Sequence, residues 1–470
     1  MATLTLPKEK PIPEELLPIS GGKHNLGTVT DAIGSVVLDP AKTPKQFWYT
    51  LAVSFLFLLL FVYAVAYLLI WGVGIWGIHI PSAWGFAIIN FVWWIGIGHA
   101  GTLISAILLL FHQTWRTSIN RFAEAMTIFA VMCAGTFPLL HMGRPWFFYW
   151  LYPMPNIAGA WPQFRSPLVW DVFAVTTYFT ISLVFWYIGL IPDFATLRDG
   201  TKSKIGRIIY GTLSLGWRGS AFHWKRYEKV YLILAGISTP LVLSVHTVVS
   251  FDFAISIVPL WHATIFPPFF VAGAIFSGFA YVIILGIPLR NWYGMGDFIT
   301  RKHLDLCAKV MLGTGMLVCF GYFCEIWMSV YSHSKYERAT TWQRLFGPYG
   351  WSYWCLITCN FVVPQLLWSK RIRNNDFWLF VISIVVLIGM WFERYVIVIT
   401  LTREYLPSMW GRYTPTFWDW ATYLGTLGLF TTLFLLFVRF VPMISITELR
   451  EQLPRAAGGR DGHSISENAS

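Results

Sequence analysis

Ten stretches of this 470-residue chain stay apolar for about 20 residues or more. They lie at roughly 46–74, 83–112, 122–141, 168–192, 229–251, 264–289, 303–331, 347–368, 377–402 and 416–440. A helix rising 1.5 Å per residue needs about 20 residues to cross a hydrocarbon layer, so each run is long enough to span a bilayer. The runs are continuously apolar rather than alternating, which argues against a transmembrane barrel. Composition agrees, with 56% hydrophobic and only 12% charged residues and a mean hydropathy of +0.57. Soluble domains carry roughly 25% charged residues, and half that density cannot cover a water-facing surface. A soluble enzyme, a disordered chain and an ordinary nucleic-acid binder are excluded, and the pI near 9.3 belongs to loop charge. The fold class that follows is an all-α integral membrane protein of about ten transmembrane helices.

Loop charge sets the orientation. An even number of spans puts both termini on one side, and 25 of the 34 Lys and Arg residues fall on that side. Seven fall on the other (Arg144, Arg165, Lys335, Arg338, Arg344, Arg403 and Arg412), and Lys309 and Arg394 lie inside spans. The positive-inside rule then places both termini in the cytoplasm. No apolar core follows Lys8 and Lys10, so no cleavable signal peptide is expected. The first 45 residues and the segment after Pro442 are polar and read as soluble extensions. The six cysteines lie within the spans without a CxxC pair and read as packing residues.

Ionisable residues inside spans are costly and therefore point to function. His141 ends the third span on the outer side, and Asp171 opens the fourth from the same side. His246 and Asp252 lie at the outer end of the fifth, Glu325 in the outer third of the seventh, and Glu393 and Arg394 in the outer half of the ninth. Nearer the cytoplasm come Glu124, Asp305, Lys309 and His112, with His99 close to the midplane. Together the two sets would form a polar route across the membrane. Each has a plainer reading too: Asp252 and Glu124 as wet span edges, His99 as a packed histidine between Gly98 and Gly101. Glu393 and Arg394 leave their helix about 100° apart, so they are not expected to pair simply with each other, and one is expected to face a carboxylate on another helix.

Two chemistries suit such a cluster. One is transport through a buried site, as in a secondary transporter or proton channel. The other is quinol oxidation, which needs a proton acceptor at each hydroxyl and an apolar slot for the ring. Bis-histidine haem needs matched His pairs on two helices; His99 and His112 share one helix, and no second helix supplies a matching pair. No haem, iron–sulfur cluster or other metal is therefore expected in this chain, and electrons would leave to a docked partner.

At this point particular residues carry a family resemblance. The runs His141-Met142-Gly143-Arg144-Pro145-Trp146, Trp161-Pro162-Gln163-Phe164-Arg165-Ser166-Pro167 and Val169-Trp170-Asp171 resemble the membrane subunit of the polysulfide reductase (NrfD-like) family. Among its branches the chain is most similar to the quinol-binding membrane subunit of bacterial alternative complex III. The resemblance implies two four-helix bundles at 83–251 and 252–402. A flanking helix stands at each end, at 46–82 and 403–442, with cytoplasmic arms at 1–45 and 443–470. It implies bound quinol, usually menaquinol, in the bacterial inner membrane. The implied partners are an iron–sulfur subunit on the periplasmic face, multihaem and monohaem cytochrome c subunits, a paralogous NrfD-like membrane subunit and small membrane subunits. The implied site is His141, Asp171 and Asp252, with Arg394 and Arg144 as neighbours, and His99, Glu124, His246, Asp305, Lys309, Glu325 and Glu393 as proton-path candidates. The internal repeat is faint, its best trace being Gly101-Thr102-Leu103-Ile104-Ser105 against Gly278-Phe279-Ala280-Tyr281-Val282.

Overall fold

The computed structural model of the chain describes residues 24–78, 84–151, 166–399 and 413–457. Among them nine helices are long and apolar enough to cross a membrane. They are α2 (Lys45–Trp71), α3 (Gly85–Leu110), α4 (Asn120–His141), α5 (Pro167–Gly200), α7 (Ala221–Ala254), α8 (Phe266–Trp292), α9 (Arg301–Tyr331), α13 (Asp376–Ile399) and α14 (Phe417–Phe440). Shorter helices are α1 (Leu26–Leu38), α6 (Lys204–Leu213), α10 (Lys335–Phe346), α12 (Lys370–Arg373) and α15 (Ile446–Ala457).

The expected eighth span is present but broken. It begins as α11 (Gly350–Ile357), widens into a π-turn at Thr358–Val362 and tightens to 3₁₀ geometry at Val363–Trp368. Pro364 is the cause: it has no N–H for the carbonyl four residues back. That carbonyl, Asn360 O, instead takes the Cys319 thiol at 3.7 Å. The π-turn also swings the Asn360 amide against Gly389, where a Cβ would overlap it.

Helix α3 is the axis. It is apolar on every side and is buried along its whole length from Gly85 to Ala106, as such a helix must be. Around it α4, α5 and α7 form one group, and α8, α9, α11 and α13 a second, with α3 against α8 joining them. Glycines set the closest approaches. A Cβ at Gly101 would overlap the Ala123 carbonyl of α4, and one at Gly278 the Ala100 Cβ of α3. The faint repeat trace thus falls on residues that let helices touch. The flanking helices α2 and α14 pair with one another, since Cβ atoms at Gly425 and Gly428 would lie 2.5 Å from those of Phe61 and Phe57.

The described part of each polar arm packs on the helix bundle. Val29, Ile33 and Val36 bury one face of α1, and Ser445, Thr447, Glu448 and Leu449 are buried at the start of α15. The two helices pack on each other and on α5. A polar average over a whole arm hides an amphipathic helix, because only one face needs apolar residues. The stretch between the expected spans 168–192 and 229–251 is also mostly helix. α5 runs on to Gly200 and α7 already starts at Ala221. Hydropathy marks where lipid ends, and the helix need not end there.

Candidate functional site

At the end of the molecule opposite the termini, α4 and α5 part around a cavity of about 330 Å³. Its wall includes Ile88 and Phe91 of α3, Gly135, Pro138 and His141 of α4, Phe148, and Asp171, Val172 and Val175 of α5. Local sequence explains the opening. Pro138 lies inside α4 and cannot complete the backbone ladder there. Gly135, one turn earlier, contributes no side chain, and a Cβ built on it meets nothing within 4 Å. Exposed Leu139, Phe148 and Leu168 frame the mouth. The cavity wall is therefore apolar apart from His141, Asp171 and Thr176, and its volume is at the small end of ordinary ligand sites.

The structure brings together three of the sequence candidates. His141 and Asp171 share the cavity wall, and the Asp252 carboxyl of α7 faces Asp171 closely enough to interact with it directly. Asp171 and Asp252 are nearly fully buried. Apart from facing each other, neither carboxyl has a hydrogen-bond partner among the described residues, nor does the buried His141 Nδ1. Buried polar atoms are ordinarily satisfied. His141 and Asp171 thus put polar atoms without partners among the described residues on a mostly apolar wall, with Asp252 behind Asp171.

Other candidates sit elsewhere. Arg144 is exposed beyond Gly143, whose φ of +76° turns the chain out of α4, and it pairs with neither aspartate among the described residues. Arg394 is buried at a junction deeper in the molecule. A Cβ on Gly96 would lie 3.6 Å from His246 Nε2, 3.7 Å from Ser277 Oγ and 3.8 Å from Arg394 Nη2. The expectation that Glu393 and Arg394 do not pair with each other is wrong, for Arg394 Nη1 bonds the Glu393 carboxylate. A guanidinium is long enough to wrap back across the 100° between neighbours. Glu393 also accepts from the Tyr322 hydroxyl, which in turn takes the Asn360 amide at 2.9 Å.

His99 and His246 meet edge to face with ring centroids 4.8 Å apart. All four ring nitrogens are buried without a partner among the described residues. From His99 toward the termini, α3 continues the polar file. The Gly98 carbonyl accepts from Tyr178 at 2.8 Å and Thr127 at 2.5 Å, and Thr102 bonds Ser182 at 3.1 Å. Glu124 then accepts from Tyr231 at 3.3 Å and pairs with Arg121 at 3.2 Å. Asp305 and Lys309 lie outside this file: they pair with each other, and Asp305 also takes Arg373, both at 2.7 Å. Glu325 pairs with Arg344 at 2.6 Å.

Sequence reasoning missed the cluster that closes the file at the termini end. Arg121 is fully buried between Glu124, Asp193 at 3.4 Å and Glu448 at 3.5 Å, and Glu448 also holds Arg116 at 2.8 Å. Burial works against the Arg116 charge, yet the facing Glu448 raises its pKa above the ordinary guanidinium value. Of these residues Glu124 alone was a candidate, and Arg116 and Arg121 counted among the Lys and Arg on the termini side. The one available signal was Arg121 three before Glu124, a helical pairing distance.

The fold and cavity define a polytopic helical membrane protein with a lateral, mostly apolar cavity that ends on unpaired imidazole and carboxyl groups. Comparison with known proteins gives the family. Residues 77–402 match the family described as Polysulphide reductase, NrfD, and the chain belongs to it. It is 22% identical over 384 residues to a selenate reductase subunit of Mesobacillus selenatarsenatis, covering 77% of this chain and 87% of the relative. It is 24% identical to a putative dimethyl sulfoxide reductase membrane subunit of Halobacterium salinarum, over 85% of this chain and 93% of the relative. It is 21% identical to the Hdr-like menaquinol oxidoreductase integral membrane subunit of Archaeoglobus fulgidus, over 81% and 89%.

Proposed function

We propose that the chain is the quinol-oxidising membrane subunit of an electron-transfer complex of the alternative complex III type in the bacterial inner membrane. The observation that carries this reading is the cavity walled by His141 and Asp171 with Asp252 behind it. Its relatives are subunits of reductases or oxidoreductases by name, and one is named for menaquinol. A quinol enters between α4 and α5 past Leu139 and Leu168, and its ring lies against Phe91, Pro138 and Val175. One hydroxyl bonds His141 and the other Asp171. Each gives up one proton as two electrons leave to an iron–sulfur partner docked at the end opposite the termini, and cytochrome c subunits carry the electrons onward. Asp252 takes the proton on from Asp171, and the termini face the cytoplasm.

Asp171→Asn keeps volume and removes the base. General-base loss costs on the order of 100-fold or more, so the purified complex should lose quinol oxidation by that factor while still binding a quinone inhibitor. A wild-type rate would remove Asp171 from the mechanism. Purification separates the other readings. A transporter or proton channel would come out of the membrane alone and move its substrate without redox partners. The non-oxidising paralogous subunit would come out with the complex, but Asp171→Asn in it would leave the rate unchanged.

A further inference from the structure

Helix α6 has three faces rather than two. Successive residues on a helix step by about 100°, which puts Ile205, Ile208, Ile209 and Thr212 on one side and Tyr210 and Leu213 on another. Lys204, Arg207 and Gly211 fall on the third. The second side belongs to the protein: Tyr210 stacks on Phe194, and both Tyr210 and Leu213 pack against the cluster of Val37, Leu190, Phe194 and Leu197. The first side touches nothing of the kind. Ile205 is 70%, Ile208 69% and Ile209 51% exposed, and Leu215 just beyond the helix is 68% exposed. On the third side, exposed Lys204 and Arg207, with Lys202 before them, have no acidic partner among the described residues.

Depth decides what covers the apolar face. The Tyr210 hydroxyl donates to the carbonyl of Phe440, the last residue of α14, at 3.1 Å. The Tyr187 hydroxyl of α5 donates to the Leu213 carbonyl at 2.8 Å. α6 is thus tied to the last residue of α14 and to α5 just before its apolar stretch gives out at 192, and lies at the bilayer border. A helix at that depth with an uncovered apolar face and a basic flank matches a leaflet surface, where a basic residue gains from anionic headgroups.

We propose that α6 is a membrane-surface helix that sinks Ile205, Ile208 and Ile209 into the leaflet on the termini side and binds anionic phospholipid through Lys202, Lys204 and Arg207. Arg218 and Arg226 continue the basic border, and the Arg226 guanidinium lies 3.9 Å over the exposed Phe222 ring. The proposal stands apart from the quinol reading, since none of these residues lines the cavity.

The test uses the intact complex in nanodiscs of phosphatidylglycerol or phosphatidylcholine. A spin label at Ile208→Cys, corrected for the native cysteines with unsubstituted protein, should collide with oxygen and not with an aqueous nickel reagent. A label at Arg207→Cys should do the reverse. Each basic residue near an anionic surface is worth about fivefold in binding, so three give on the order of 100-fold. The triple variant Lys202→Gln, Lys204→Gln, Arg207→Gln should lose phosphatidylglycerol enrichment, read by native mass spectrometry, by that factor. Three results would overturn the proposal: a label at 208 open to water, a label at 208 shielded from both reagents by a neighbouring subunit, or enrichment unchanged in the triple variant.

Discussion

Gly135 offers the cleanest single-residue test of the cavity. Its missing side chain leaves open space, so Gly135→Leu should fill the site without removing a polar group. The leucine takes room the quinol ring needs; a binding loss of about 1.4 kcal/mol is tenfold, so kcat/KM for quinol should fall by roughly that factor, mostly through KM. The thermal midpoint should hold or rise, because leucine is the better helix former. Gly101→Ala is the contrast, since its Cβ would overlap the Ala123 carbonyl; here the expected loss is of folded protein, read by size-exclusion yield. These residues also show what a sequence can convey. His141 and Asp171 were legible because a titratable group at a span end stands out. Tyr178, Thr102, Thr127 and Ser182 were not, because a hydroxyl in an apolar helix carries no charge and usually bonds its own backbone. The place of Arg144 was not legible, because three residues of sequence beyond His141 say nothing of the turn at Gly143.

At the scale of elements, α15 acts as a stopper. Thr447 donates to Asp193 from its backbone N–H at 3.0 Å and its hydroxyl at 2.8 Å. Glu448 stands between Arg116 and Arg121, with both charges of the Arg121 pair nearly sealed from solvent. Removing one partner of a buried ion pair costs about 3–5 kcal/mol, because the other charge is left uncompensated. Glu448→Gln should therefore speed hydrogen exchange across 446–457 and expose that segment to protease, while the spin-label depth at Ile208 stays unchanged. Exchange rates equal to wild type would show that Asp193 and Thr447 alone hold the helix. The spanning helices were readable because a crossing needs length and apolarity on every lipid-facing side. α1, α6 and α15 were not, since each spends its apolar residues on one or two narrow faces. α11 was readable as a span but not as a π-turn, which arises from Pro364 acting on the packing against α9 and α13.

At the scale of the whole molecule, the polar groups string out along α3 between the two ends. Glu124 and Arg121 stand at the termini end, then Ser182 and Thr102, Tyr178 and the Gly98 carbonyl, then His99 and His246, with Asp252 and Asp171 at the cavity. A chain of buried hydroxyls and unpartnered imidazoles of this kind, with water in the gaps, would carry protons between the faces. Quinol oxidation by itself releases one proton per electron, so a larger ratio in proteoliposomes would mean that the file adds protons from the side of the termini. Tyr178→Phe is the discriminating variant, as it keeps the ring in place and deletes only the hydroxyl that bonds Gly98. That single neutral hydrogen bond is worth about 1 kcal/mol, so the fold should survive and quinol oxidation by the uncoupled complex should stay near wild type. The proton-to-electron ratio should drop to the value set by quinol alone. A ratio already at that value in the wild-type complex would mean that the file only packs the helices. A high ratio that survives Tyr178→Phe would place the route along another helix.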